Sequence, residues 1–209
     1  MGIVTGAVIL SAMCGRYALH SNPEVIALQF HLDAVPAFLP RYNIAPTAEV
    51  LAVKSDGAAM LKWGWRGKAH NLRAETTRSR RRCLIPANGF YEWRKVGAGK
   101  QAYYVRPARD ALFGFAGIWD ETTCAILTVD ANGTLRPIHH RMPAIIAPRD
   151  YAGWLGGDEG LLAPAPDDQT VAYPVGAEIN SGTAESPRLI EPVPSGIGPR
   201  GGSGSLFGD

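Results

Sequence analysis

The sequence predicts an α+β fold: a single compact domain, predominantly antiparallel β, with a few short helices. Three observations carry this. Among 209 residues, 46% are apolar and 19% charged, enough material for one sizeable core. Gly (24) and Pro (16) are high for a helical bundle and fall between short β-branched runs, so many turns join short strands. Helical spacing, by contrast, shows in only two places, and the chain has no internal repeat.

The first helix follows Ser21 or Asn22 as cap, with Pro23 in its first turn and Val25, Ile26, Leu28 and Phe30 behind it. From Glu49 to Trp65, two apolar runs around Ser55-Asp56-Gly57 read as a β-hairpin. A second hairpin turns at Gly97 to Gly99, between strands at Phe90 to Lys95 and Gln101 to Arg106. Phe113 to Trp119 and Cys124 to Val129 are further strands, and Asn132-Gly133 is a turn. Pro148 opens a helix that presents Tyr151, Trp154 and Leu155 and stops at Gly156-Gly157. The domain is expected over residues 13–193, after an extension at 1–12 and before a Gly/Ser-rich mobile tail at 194–209.

A formal charge of +2 does not advertise a polyanion partner by itself, so any such site must be local. Cys14, Cys83 and Cys124 are odd in number and widely spaced, which argues against a disulfide framework and for a reducing, cytoplasmic setting. The apolar stretch Gly2 to Ala12 lacks the basic residues that open a signal peptide, and no segment reaches the roughly 18 apolar residues of a membrane span.

Met13 precedes the small residue Cys14, and an initiator methionine in that setting is readily removed. Cys14 would then carry a thiol beside an α-amine whose ordinary pKa of about 7.7 to 8.0 leaves a useful neutral fraction near pH 7. Such a 1,2-aminothiol attacks an aldehyde through nitrogen and closes through sulfur to a thiazolidine. In Phe90-Tyr91-Glu92-Trp93, alternation sends Glu92 to the face opposite Tyr91 and Trp93, and a carboxylate in a partly dry cleft can act as an acid at neutral pH. The bland alternative is a solvent-side Glu. In Ile138-His139-His140-Arg141, adjacent histidines in a strand would face opposite ways, leaving one for catalysis. A zinc site drawing on His139 or His140 and a cysteine lacks close ligand spacing, and neither a metal nor a cofactor is expected. Arg78, Arg80, Arg81 and Arg82 are the densest positive cluster. With Trp63, Trp65, Arg66, Lys68 and Arg73, they could form a groove that stacks bases and neutralises phosphates, although charge runs are commonly solvated faces.

Met13 to Tyr17, Tyr42 to Thr47, Trp63-Gly64-Trp65, Asn71 to Thr76, Cys83 to Trp93, Phe115 to Trp119, Ile138 to Pro143 and Leu189 to Val193 together resemble the SOS response-associated peptidase (SRAP) family of abasic-site processing proteins. The resemblance implies a compact, strand-rich α+β fold and a covalent sensor of abasic sites in single-stranded DNA, active in the DNA damage response. It implies associated lyase and self-processing peptidase capacity, and a monomer on the nucleoid when bound. By the same matching, Cys14 is the nucleophile, Asn71 positions amine and sugar, Glu92 shuttles protons, and His139 assists ring-opening and reversal. Arg16, Arg73 and Arg141 match phosphate contacts, and Trp93 lies beside the cleft. Two departures stand out. The link from the Trp-Gly strand to Asn71 and the stretch before the Arg-rich run are both shorter than is usual in the family, and twelve residues precede Met13. A noncovalent single-stranded DNA-binding module and a cysteine hydrolase built on Cys14, His139 and Glu92 are the alternative readings.

Overall fold

The computed structural model describes residues 15–194 except Lys68, Arg80 and Asp110. The expected extension at 1–12, Cys14 and the tail from residue 195 therefore lie outside the described residues.

In chain order the strands and helices are β1 (Arg16–Leu19), α1 (Pro23–Phe30), β2 (Arg41–Ile44), β3 (Glu49–Lys54), β4 (Gly57–Trp63) and β5 (Asn71–Arg73). Then follow β6 (Arg82–Ala87), β7 (Gly89–Val96), β8 (Gly99–Pro107), β9 (Phe113–Trp119) and β10 (Thr123–Asp130). Last come β11 (Arg141–Pro143), β12 (Ile145–Ile146), α2 (Tyr151–Gly156) and β13 (Thr170–Pro174). The fold is α+β and mostly antiparallel, as the turn-rich pattern requires.

Both expected hairpins form. β3 pairs β4 from Glu49–Lys62 to Lys54–Gly57, with Gly57 at φ 123° in the turn, a backbone angle that only glycine adopts without strain. β7 pairs β8 from Phe90–Val105 to Val96–Gly99. α1 starts at Pro23 after Asn22 and buries Ile26 and Phe30, four residues apart on one face. The helix expected to open at Pro148 instead begins with a 3-10 turn over Pro148–Asp150, and the α-helical part starts at Tyr151.

Two sheets result. One runs β13-β8-β7-β1-β2. In the other, β10, β4, β3, β6 and β9 each pair the next, and β9 pairs β10 in turn, so these strands close into a ring. Closure removes exposed edges within the ring. The pairings of β10 with β4 and β5 are parallel, a departure from an otherwise antiparallel arrangement. The main core includes Phe90, Phe115, Trp63, Ile85 and Ile126, while a second cluster around Tyr91, Tyr104 and Leu189 covers the other face of β7.

Candidate active site

β7 carries the first functional side chain between the sheets. Phe90 belongs to the main core and Tyr91 to the second cluster, and Glu92 returns to the face of Phe90 by strand alternation. Glu92 is only 2% exposed, which discards the solvent-side reading. Its Oε1 lies 4.0 Å from Nδ1 of His139.

His139 and His140 do not sit in a strand with opposed side chains. They precede β11, and their rings lie 4.5 Å apart at 34°, because Leu135 accepts the backbone N–H groups of both Ile138 and His139 and closes a turn there. His139 Nδ1 lies 3.1 Å from both the N–H and the carbonyl of Arg141, so one tautomer accepts from the backbone and the other donates to it. Burial lowers the pKa of His140, with the nearby charges of His139, Arg141 and Arg73 adding to the effect.

Arg141 is 3% exposed, and its guanidinium is held entirely within the protein. Nη1 donates to Glu75 Oε1 (2.6 Å) and Asp130 Oδ1 (2.8 Å), and Nη2 donates to Glu75 Oε2 (2.8 Å) and the Thr128 carbonyl (2.5 Å). Two carboxylates thus flank the residue matched to a phosphate contact, and its own backbone N–H and carbonyl both lie 3.1 Å from His139 Nδ1. The hydrogen bonds from Arg141 in turn lower the pKa of Glu75.

Asn71, 8% exposed, stands at the start of β5, which pairs residue for residue with Ile126 to Thr128 of β10. Arg73, on the same strand, is exposed and pairs with Thr128, whose carbonyl also receives Arg141. Arg16 pairs with Tyr91, so Gly15, the first described residue and the one that follows Cys14, adjoins the strand position next to Glu92. Arg16 Nη1 donates to Asn43 Oδ1 (2.8 Å) and to the carbonyls of Ile179 (3.3 Å) and Ser181 (3.4 Å), and its bonds among the described residues all leave from Nη1. Trp93 is half-buried, with Nε1 donating to Asn180 Oδ1 at 2.8 Å.

Asn43 and Asn180 anchor Arg16 and Trp93. Asn43 lies in the Tyr42 to Thr47 motif, whereas Asn180, 87 residues from Trp93, has no local signal. Cys83 and Cys124 are buried free thiols. Burial pushes both up, Cys124 to about 12, so neither offers a thiolate near neutrality. Among the described residues, no three His, Cys, Asp or Glu side chains gather to hold a metal, and no helix is long and apolar enough to cross a membrane.

The family model of the SOS response associated peptidase (SRAP) matches residues 13–182. The chain belongs to the SRAP family. Among its relatives, the abasic site processing protein YoaM of Bacillus subtilis is 32% identical over an alignment covering 86% of this chain and 98% of that protein. Abasic site processing protein YedK of Escherichia coli is 27% identical, covering 87% and 100%. A solved protein from Bacteroides thetaiotaomicron superposes with a TM-score of 0.77 at 21% identity, covering 86% of this chain and all of that one, so the SRAP fold holds across that divergence. A phage-related protein from Bordetella bronchiseptica reaches a TM-score of 0.64 at 30% identity, covering 78% and 94%.

Proposed function

We propose that this protein processes abasic sites in single-stranded DNA by forming a thiazolidine crosslink through Cys14 once Met13 has been removed. The observation that carries the proposal is the buried Glu92 carboxylate 4.0 Å from His139, beside the strand that leads back to Cys14. The names of its relatives, abasic site processing proteins, agree with this substrate.

The chemistry balances without a cofactor. The neutral α-amine of Cys14 adds to the aldehyde of the ring-opened sugar, and loss of one water gives an imine. The thiol then adds to the imine carbon, its proton passes to nitrogen, and the five-membered ring closes. Glu92 moves protons in both steps, His139 assists sugar ring-opening and reversal, and Asn71 orients amine and sugar. Arg16 and Arg73 meet phosphates, Trp93 flanks the sugar, and Arg141 keeps His139 in place. Before sulfur closes the ring, the imine also opens a route to strand cleavage, which is the lyase capacity of the same amine.

Protein beginning at Cys14 should crosslink uracil-excised single-stranded oligonucleotide in a form that survives a denaturing gel, and Cys14→Ser should form no such adduct. Acetylating the amine should abolish the product with the thiol intact. Undiminished trapping by the serine variant or by acetylated protein would remove the mechanism. Salt-sensitive binding with no adduct would leave a noncovalent module.

A further inference from the structure

Outside the site, the described surface holds a cavity of about 570 Å³ lined by Trp65, Arg66, Arg78, Arg81, Trp119 and Asp120, among others. This volume lies within the range of small-ligand sites. Its charges are unequally compensated. Arg66 pairs with Asp120 at 3.4 Å, and the same carboxylate caps the β9–β10 turn through Thr122 and Thr123. Arg78 and Arg81, by contrast, have no carboxylate partner among the described residues.

Both are nevertheless held in place. Arg78 Nη1 donates to the carbonyls of Thr77 (3.0 Å), Ala74 (3.4 Å) and Glu75 (3.4 Å), contacts that orient the guanidinium without neutralising it. Arg81 lies over the Trp119 ring, 5.4 Å from its centroid. Two positioned cations at a concave surface concentrate a polyanion, and little side-chain entropy remains to be lost on binding.

The cavity is continuous with the site through the chain. The segment that places Asn71 and Arg73, and sends Glu75 to Arg141, runs on to supply Arg78 and Arg81. Along β10, the turn residues Asp120 to Thr122 border the cavity, while Thr128 lies beside Arg73 and Arg141, about 20 Å further on at strand rise.

We propose that this cavity seats phosphates of the single strand as it runs on from the abasic nucleotide, with Arg78 and Arg81 as the phosphate-binding cations and Trp65 as a surface for a neighbouring base. The proposal rests on the DNA-processing reading, and it concerns the undamaged part of the strand.

The experiment uses the full chain and an undamaged single strand of about 15 nucleotides, with binding followed by fluorescence anisotropy across a salt series. Neutralising two phosphate contacts in Arg78→Gln/Arg81→Gln should reduce the slope of log K against log salt by about 1.4 and weaken low-salt binding about tenfold. Glu121→Lys, at an exposed residue on the cavity wall, should shift both quantities the other way and guards against simple misfolding. Adduct formation on an abasic strand of about 4 nucleotides, too short to reach the cavity, should match wild type in both variants. Unchanged salt slopes in both variants would overturn the inference. A missing adduct on the short strand with the slope changes intact would instead strike the crosslinking mechanism and leave the cavity assignment standing.

Discussion

Glu75 and Arg141 form a two-point clamp. Both carboxylate oxygens of Glu75 receive guanidinium nitrogens, and the backbone N–H of the same arginine meets His139. In Glu75→Gln one acceptor is replaced by an amide that repels the guanidinium. Because the Glu75 side chain is 52% exposed, the loss of stability should be near the low end for charged hydrogen bonds, about 1 kcal/mol. The rate of adduct formation should fall several-fold, while affinity for undamaged strand stays the same, since the substitution loosens His139 and leaves Arg16 and Arg73 untouched. The sign of the pH dependence follows from the depressed carboxyl. The clamp stabilises the fold fully above the ordinary Glu value of 4.5 and is lost as pH falls through the lower folded value, so wild type and Glu75→Gln should converge in strong acid. Urea midpoints for the two proteins at neutral and acidic pH, with single-turnover crosslinking at neutral pH, check both statements.

Whether an element was legible in the sequence depended on whether its signal is local. β7 was legible because Phe90, Tyr91 and Glu92 alternate between two different surroundings, and the two hairpins because their turns carry glycine. β6 was not legible as a strand. All its residues are buried, so it shows no alternation, and Pro86 interrupts it; the proline is tolerated where pairing with β3 is confined to Val53–Leu84. Sequence proximity to Trp65 and the arginines makes Trp63 a candidate for a basic groove, yet it is 1% exposed and its indole N–H donates to the His70 carbonyl. Arg82 was likewise grouped with the exposed arginines, but it is 7% exposed, stacked on Trp154 and paired with Glu159. These are tertiary facts that neighbouring residues cannot report. Trp154 is the contact that docks α2 on β6: its Nε1 donates to the Cys83 carbonyl at 2.8 Å, inside the core. Trp154→Phe loses this indole hydrogen bond and leaves a smaller ring in a packed core, while the Cys83 carbonyl stays in the ladder with Gly117, so stability should fall by about 1–3 kcal/mol. The urea midpoint should drop with an unchanged m value, whereas a changed m value would point to altered compactness instead.

At the scale of the molecule, the site depends on how the closed ring of strands meets the second sheet. Asn71 is placed by the parallel pairing of β5 with β10, Arg141 is tied to the end of β10 through Asp130, and β7 carries Glu92 to within 4.0 Å of His139. The ring closes where β9 lies between β6 and β10, and Gly117 stands in that seam, paired with Cys83 on one side and Ile126 on the other. A Cβ at Gly117 would come within 2.9 Å of Cys83 Sγ, 3.1 Å of the Ala125 carbonyl oxygen and 3.2 Å of Ile85 Cδ1. One of these is backbone and the other two belong to fully buried side chains, so no flexible end can swing clear. Relief requires β9 to move away from β6 and β10 together. Gly117→Ala should therefore cost about 2 kcal/mol by overpacking and lower the melting temperature by about 4–8 °C. Cys83→Ala in the same chain removes one of the three opposing atoms and should recover part of that loss, giving a favourable coupling in a double-mutant cycle. Strict additivity of the two substitutions would show that the seam yields elsewhere and that Gly117 does not set the spacing of the ring.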